Sequence, residues 1–175
     1  ASGTAPDIAY IPDPMISKWA SAGWLMDLSD HFQNDPEASN RMPQIYYKLQ
    51  DKVVGANCGN EIVILYYNKQ MFNQAGLAYP PAKAEKAWSW PEFVAICQKL
   101  TIDHNGYDAA NPNFDAEHIT TYAVAFPQSM FFALPFIYSN GGQMASDDGQ
   151  ELLLNQPASV EALQKMQDLV YRYNV

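Results

Sequence analysis

Basic residues are scarce in this 175-residue chain: 10 Lys and Arg stand against 19 Asp and Glu, a formal net charge of −9. A protein that neutralises nucleic-acid phosphates needs the opposite surplus, so nucleic acid is excluded as a partner. Cysteine is scarcer still. Cys58 and Cys97 are too few for a disulfide scaffold and lack metal-site spacing. No run approaches the about 20 consecutive apolar residues of a membrane helix, and no period of about 20–50 residues marks a solenoid. The nucleophile elbow G-x-S-x-G, the Walker loop, G-x-G-x-x-G and H-E-x-x-H are all missing. The start, Ala1 to Pro6, has neither the basic residues nor the apolar run of a signal peptide, so any export signal is expected outside this sequence.

What is there is globular. Apolar residues make up 48% and charged residues 17%, enough for one domain or two small ones. Aromatics reach 13%, which suits either a core or a surface that stacks flat ligands. Residues 6–11 read as a short strand, followed by a helix with Asp13 as N-cap, Pro14 at its first position and Gly23 closing it. Polar residues 30–44 read as a surface connection. Ile62-Val63-Ile64-Leu65-Tyr66-Tyr67 is the most apolar and β-branched run, expected as a parallel-sheet strand covered on both faces. Asn68 then caps a helix that Gly76 ends, and Ser89-Trp90-Pro91-Glu92 is a capping box. Phe93, Ile96, Cys97 and Leu100 follow at helical spacing, which makes Cys97 a buried, reduced core thiol.

Residues 103–118 are polar and turn-rich, and Tyr122 to Phe126 reads as a second buried strand. Ser129 starts a helix that contains Pro135 and closes at Asn140-Gly141-Gly142. A last helix, capped by Asn155, is expected to place Val160, Leu163, Met166, Val170 and Tyr173 on one side. Strands alternating with helices predict an α/β architecture with a largely parallel sheet.

Two clusters carry candidate binding chemistry. Asn57, Asn60 and Glu61 sit just before the most hydrophobic run, where ligands of open α/β sheets bind. Glu61 can accept from hydroxyls and the amides can do both, although a solvated strand start explains Glu61 equally well. Gln128-Ser129-Met130-Phe131-Phe132 joins polar groups to two rings, for which the pattern alone favours core packing. Trp90 reads as a core anchor; Trp88 is open. His31, His104 and His118 fall in expected loops, exposed and without an evident orienting partner. Asp103 to Asp108 fails the EF-hand spacing, and Ca²⁺ held by Asp103, Asn105, Asp108 and Asp115 is an alternative to a bland surface insertion.

Four segments carry a family resemblance. They are Ser2-Gly3-Thr4-Ala5-Pro6-Asp7-Ile8, then Gly23-Trp24-Leu25-Met26-Asp27-Leu28, then Leu65 through Leu77 with its Tyr-Tyr-Asn-Lys and Ala-Gly, and Trp90-Pro91-Glu92-Phe93 leading to Lys99-Leu100-Thr101. In this order they resemble the carbohydrate-binding family 1 of extracellular solute-binding proteins of ABC importers. Asn140-Gly141-Gly142 and Asp168-Leu169-Val170 extend the match.

The resemblance implies an α/β, periplasmic-binding-protein-like (type II) two-lobe fold, present here only as its central part. Residues 1–58 would belong to the first lobe and 59–175 to the second, with the crossing near 57–61. It implies ligand contacts at Asp13, Asn57, Asn60, Glu61, Ser129 and Phe131, with Ser129 standing where the family has a carboxylate and Ile11 where it has a tryptophan. The ligand class it implies is carbohydrate, without a particular sugar. It further implies a monomer outside the cytoplasm, periplasmic or lipid-anchored at the cell surface, that hands its ligand to the membrane permease subunits of an ABC importer, with no cofactor, no resident metal and no catalysis. A glycoside hydrolase using a carboxylate pair such as Asp13 and Glu61 is the alternative.

Overall fold

The computed structural model describes residues 4–37, 40, 46–57, 59, 62–146 and 150–175, with the backbone alone for Asp13 and Pro14. The chain divides into two compact units, Ala1–Ile62 and Val63–Val175.

The first unit holds helix α1 (Asp13–Ser21), helix α2 (Ser29–Gln33) and the strands β1 (Tyr46–Leu49) and β2 (Lys52–Ala56). Pro12, not Asp13, takes the N-cap place of α1, one residue earlier than expected and with no side-chain cap bond. The expected strand over residues 6–11 does not form, and Ile8 and Tyr10 are exposed. Instead β1 and β2 make an antiparallel hairpin with a register irregularity between Tyr47 and Lys48. Its turn uses Gln50 at φ 55°, which offers no glycine or asparagine signal to a reader of the sequence. Val53 ties the hairpin to α2: its carbonyl accepts from Leu28 N–H at 2.7 Å and its N–H donates to Ser29 Oγ at 3.0 Å. Ser29 in turn donates to Asp27 Oδ1, which holds the Asp27 carboxyl below its ordinary range. Phe32 packs on Tyr46 with ring centroids 4.7 Å apart.

The second unit runs through α3 (Lys69–Gln74), a 3-10 turn (Ala84–Lys86), α4 (Trp90–Leu100), β3 (Ile102–Asp103), β4 (Ile119–Thr121), α5 (Met130–Ser139) and α6 (Pro157–Tyr171). Its helix ends follow the sequence closely. Asn68 Oδ1 accepts from Gln70 and Met71 N–H, capping α3. Gly76, at φ 66°, ends it: Gly76 N–H donates to Asn73 carbonyl and Leu77 N–H to Phe72 carbonyl, the paired bonds of a Schellman stop. The Ser89–Glu92 capping box opens α4, where Glu92 Oε2 accepts from Ser89 N–H at 2.8 Å. Those bonds hold the Glu92 carboxyl below its ordinary value.

Val94, Cys97, Leu169 and Val175 form one buried cluster, flanked by Trp90 and Phe93. Burial pushes the Cys97 thiol up to about 12, and its sulfur is free, as the helical spacing predicts. Ala133, Ile137 and Ala162 form a second cluster between α5 and α6. The expected stripe of the last helical segment is buried only in part: Leu163 and Met166 pack against the second cluster and Tyr173 against the first. Ser159, Ala162 and Leu169 are buried, while Val160 and Val170 are half exposed. A small residue is required at Ser159 because the turn after α5 comes close: a Cβ on Gly142 would lie 2.7 Å from Ser159 Oγ. Ser159 Oγ both donates to Gln143 carbonyl and accepts from Gln143 N–H. Gln156 rather than Asn155 holds the N-cap position of α6.

Two expectations about the sheet fail among the described residues. The strands present form two antiparallel pairs, β1–β2 and β3–β4, not a parallel sheet. Residues 62–67 belong to no strand, and Leu65 and Tyr66 are 60% and 86% exposed. A strand buried on both faces takes its identity from flanking strands and covering layers, and no described strand pairs with this segment. Residues 122–126 likewise lie outside the ladder, which ends at Thr121. No described helix is long and apolar enough to cross a membrane.

Candidate ligand-binding site

Of the six residues expected to touch a ligand, Asn57, Ser129 and Phe131 have described side chains. The Asp13 side chain and all of Asn60 and Glu61 lie outside the described residues. Asn57 follows β2 in the first unit, half-buried, and its Oδ1 accepts from Gly59 N–H at 3.2 Å. That bond closes a turn and leaves the Nδ2 donors for other partners.

Ser129 and Phe131 lie together in the second unit, at the start of α5. Ser129 is its N-cap, in an extended conformation and with no side-chain cap bond, as the helix start in the sequence implies. Its carbonyl accepts from Phe132 and Ala133 N–H, both at 3.2 Å. The Phe131 ring is 47% exposed and meets Phe132 edge-on, with centroids 5.3 Å apart at 89°. Pattern alone favours core packing for both rings. The structure separates them: Phe132 lines the interior groove of this unit, and Phe131 offers a free face. A free hydroxyl beside an exposed ring is the pairing a sugar needs, with its hydroxyls on one edge and its C–H face on the other.

The groove itself has a volume of about 800 Å³. Trp88, Trp90, Phe126, Phe132 and Phe136 form its aromatic wall, and the extended segment from Val63 to Tyr66 forms another. Trp88 stacks on Phe72 at 6.3 Å and 12°, so it is engaged in packing as well as facing the groove. One corner is polar and escaped the sequence reading: Lys165 Nζ donates to Asn140 Oδ1 at 2.7 Å and pairs with Glu161 at 2.9 Å. Asn140 also donates to Ala158 carbonyl at 2.8 Å. With its donors and acceptors spent on one another, this corner fixes α5 to α6 and has little left for a ligand.

The polar loop between β3 and β4 departs furthest from its expected role. His104 and His118, expected to lack orienting partners, both face the Asp115 carboxylate, with His118 Nδ1 2.8 Å and His104 Nδ1 3.7 Å from Oδ2. The hydrogen bond from His118 holds the Asp115 carboxyl below its ordinary range. His31 sits in α2 rather than in a loop. The calcium alternative meets a chemical obstacle. Asp103 spends its carboxylate on the N–H groups of Asn105, Tyr107 and Asp115, and Asp108 pairs with Lys99 at 2.8 Å.

Comparison with solved structures defines the fold class. The chain resembles the ABC substrate-binding protein Lmo0181 from Listeria monocytogenes in complex with cycloalternan, with a TM-score of 0.60 and 25% identity over 92% of this chain and 38% of that one. It resembles M. tuberculosis UspC with a TM-score of 0.62 and 20% identity over 99% of this chain and 43% of that one. A solute-binding protein of an ABC transporter from Thermotoga lettingae, bound with α-D-tagatose, gives 0.59 and 21% over 91% and 38%. The architecture is therefore part of the α/β, periplasmic-binding-protein-like (type II) two-lobe fold, and the chain spans about two fifths of the length of these relatives. The chain belongs to the bacterial extracellular solute-binding protein family, whose family model matches residues 1–174.

Proposed function

We propose that this chain is part of the extracytoplasmic substrate-binding component of an ABC importer, which takes a sugar or oligosaccharide between two lobes and presents it to membrane permease subunits. The observation that carries the reading is the family match over residues 1–174. Solved relatives of the same fold that hold cycloalternan and α-D-tagatose support carbohydrate as the ligand class. On this reading residues 1–58 serve the first lobe and 59–175 the second, with the crossing near 57–61; the division of the chain after Ile62 supports it. The protein acts as a monomer without cofactor or catalysis, free in a periplasm or lipid-anchored at the cell surface.

Asp13, Asn57, Asn60 and Glu61 supply hydrogen-bonding groups to the sugar, and Ser129 and Phe131 supply a hydroxyl and a stacking face. Binding in a cleft that closes on a hinge buries most of a small ligand and needs no acid pair poised to cut a bond. Titration with a sugar panel, followed by tryptophan fluorescence, is expected to show saturable one-to-one binding and no product release from activated glycosides. Glu61→Ala is expected to weaken the best ligand by about 1–3 kcal/mol, the cost of losing a charged hydrogen-bond partner. Turnover of a glycoside would replace this reading with the hydrolase. Unchanged affinity in Glu61→Ala would remove Glu61 from the site.

A further inference from the structure

The β3–β4 loop is built around one buried carboxylate. Asp103 is 2% exposed, its Oδ1 accepts from Asn105 and Tyr107 N–H at 2.9 and 2.8 Å, and its Oδ2 accepts from Asp115 N–H at 2.8 Å. This network fixes where Asp115 stands. A second set of contacts fixes the histidines: His104 N–H donates to His118 carbonyl at 2.9 Å, and the two rings meet edge-on with centroids 5.2 Å apart. Glu117 N–H donates to Asp115 Oδ1 at 3.0 Å, which turns Oδ2 toward the imidazoles. One ligating atom from each of His104, Asp115 and His118 thus lies within 4.8 Å of the others.

We propose that His104, Asp115 and His118 form a binding site for a divalent transition metal ion of the zinc type, held by two imidazole nitrogens and one carboxylate oxygen, with a fourth position open to water. The distances suit it. Metal–ligand bonds of about 2.0–2.1 Å in a tetrahedral set place neighbouring ligands about 3.3 Å apart. The two measured separations from Asp115 Oδ2, 2.8 and 3.7 Å, fall on either side of that value. Small side-chain rotations bring both nitrogens into place, and a metal ion replaces the proton now shared between His118 and Asp115. The donor set also selects the metal. Two nitrogens and one oxygen favour zinc, nickel or copper over calcium, which takes about 6–8 oxygen ligands. The nearby oxygens of Asp103 and Asp108 are already engaged by N–H donors and by Lys99.

Backbone hydrogen bonds hold the three ligating residues before any metal arrives, so little ordering is left for the binding step. Their side chains are 48%, 33% and 64% exposed for His104, Asp115 and His118, which leaves an open entry and an exchangeable ion. The ligands come from both ends of the loop that joins β3 to β4, so an ion there clamps that loop where it leaves the strands. The site shares no residue with the proposed sugar contacts, and its test is independent of theirs.

The test is calorimetric titration of the tag-free, chelator-treated protein with zinc chloride, with imidazole NMR signals recorded in parallel. One equivalent of zinc is expected to bind and to shift the His104 and His118 signals, while His31 serves as an internal control and stays in place. Calcium chloride at the same concentrations is expected to shift none of them. His104→Gln and His118→Gln alter exposed side chains and keep the backbone bonds. Each is expected to weaken zinc by at least about 100-fold, beyond the usual loss for a group outside the ligand set. Absence of saturable zinc binding, unchanged affinity in both variants, or a shift confined to His31 would overturn the proposal.

Discussion

Residues 62–67 are wholly apolar and aromatic, and no described strand pairs with them; residues 103–118 are mostly polar, and hydrogen bonds recur throughout them. The first segment has the greater capacity to bury surface and leaves it exposed. The second has little apolar surface and closes on itself around Asp103. What differs is where each finds its partners. A carboxylate that accepts from residues two, four and twelve positions ahead completes its structure locally. A strand needs neighbours supplied from elsewhere in the chain.

The same side-chain type gives the largest contrast. Leu169 is fully buried among Val94, Cys97 and Val175. Leu169→Ala is expected to cost about 2–5 kcal/mol, the lost transfer energy plus a cavity. Urea unfolding followed by a probe in the second unit measures it. A cost below about 1 kcal/mol would show that this cluster is not the core that holds the unit together.

Asp103→Ala attacks the loop at its centre. It leaves three N–H donors without an acceptor, and the melting midpoint is expected to drop by at least about 4 °C. Hydrogen exchange should lose protection first at Asn105, Tyr107 and Asp115, the donors it serves. An unchanged midpoint would mean that the loop is held by its turns alone.

Locally closed motifs of this kind are what a reader can find in the sequence. The Asn68 cap, the Gly76 stop, the Ser89–Glu92 box and the helix start at Ser129 each depend on residues within a few positions. The β1–β2 hairpin was hidden because Gln50, a residue that rarely announces a turn, adopts the left-handed conformation. The buried face of α6 is legible at Leu163 and Met166 but not at Ser159 and Ala162, which carry little hydrophobic signal; the close approach of Gly142 favours a small residue at Ser159. The site divides in the same way. Ser129 and Phe131 share one helix start, whereas His104, Asp115 and His118 have no regular spacing and meet through the Asp103 network.

The capping box offers a smaller effect with a definite sign. The Ser89 bonds hold the Glu92 carboxyl below its ordinary value of 4.5. Its contribution is therefore complete above pH 4.5 and is lost as the pH falls through the lower folded value. Glu92→Gln is expected to remove that part of the acid dependence. Parallel unfolding curves for the two proteins, measured on both sides of that range, check it; the same acid slope in both would detach Glu92 from the stability of α4.

The smallest expected effect is the most informative about residues 62–67. Leu65 is 60% exposed, so Leu65→Ala removes little buried surface and is expected to change stability by less than about 0.5 kcal/mol. Set beside Leu169→Ala, it compares one substitution at two degrees of burial and isolates environment from chemistry. The near-neutral result is not a sign that the segment is unimportant. An exposed run of Ile, Val, Ile, Leu, Tyr and Tyr with no charge, proline or glycine is a template for pairing with another strand. Ile64→Lys should accordingly leave the unfolding midpoint unchanged and reduce concentration-dependent association measured by light scattering. A cost above about 1 kcal/mol for Leu65→Ala would mean that the segment is paired in solution, and the contrast with the Asp103 loop would then rest on local against remote partners alone.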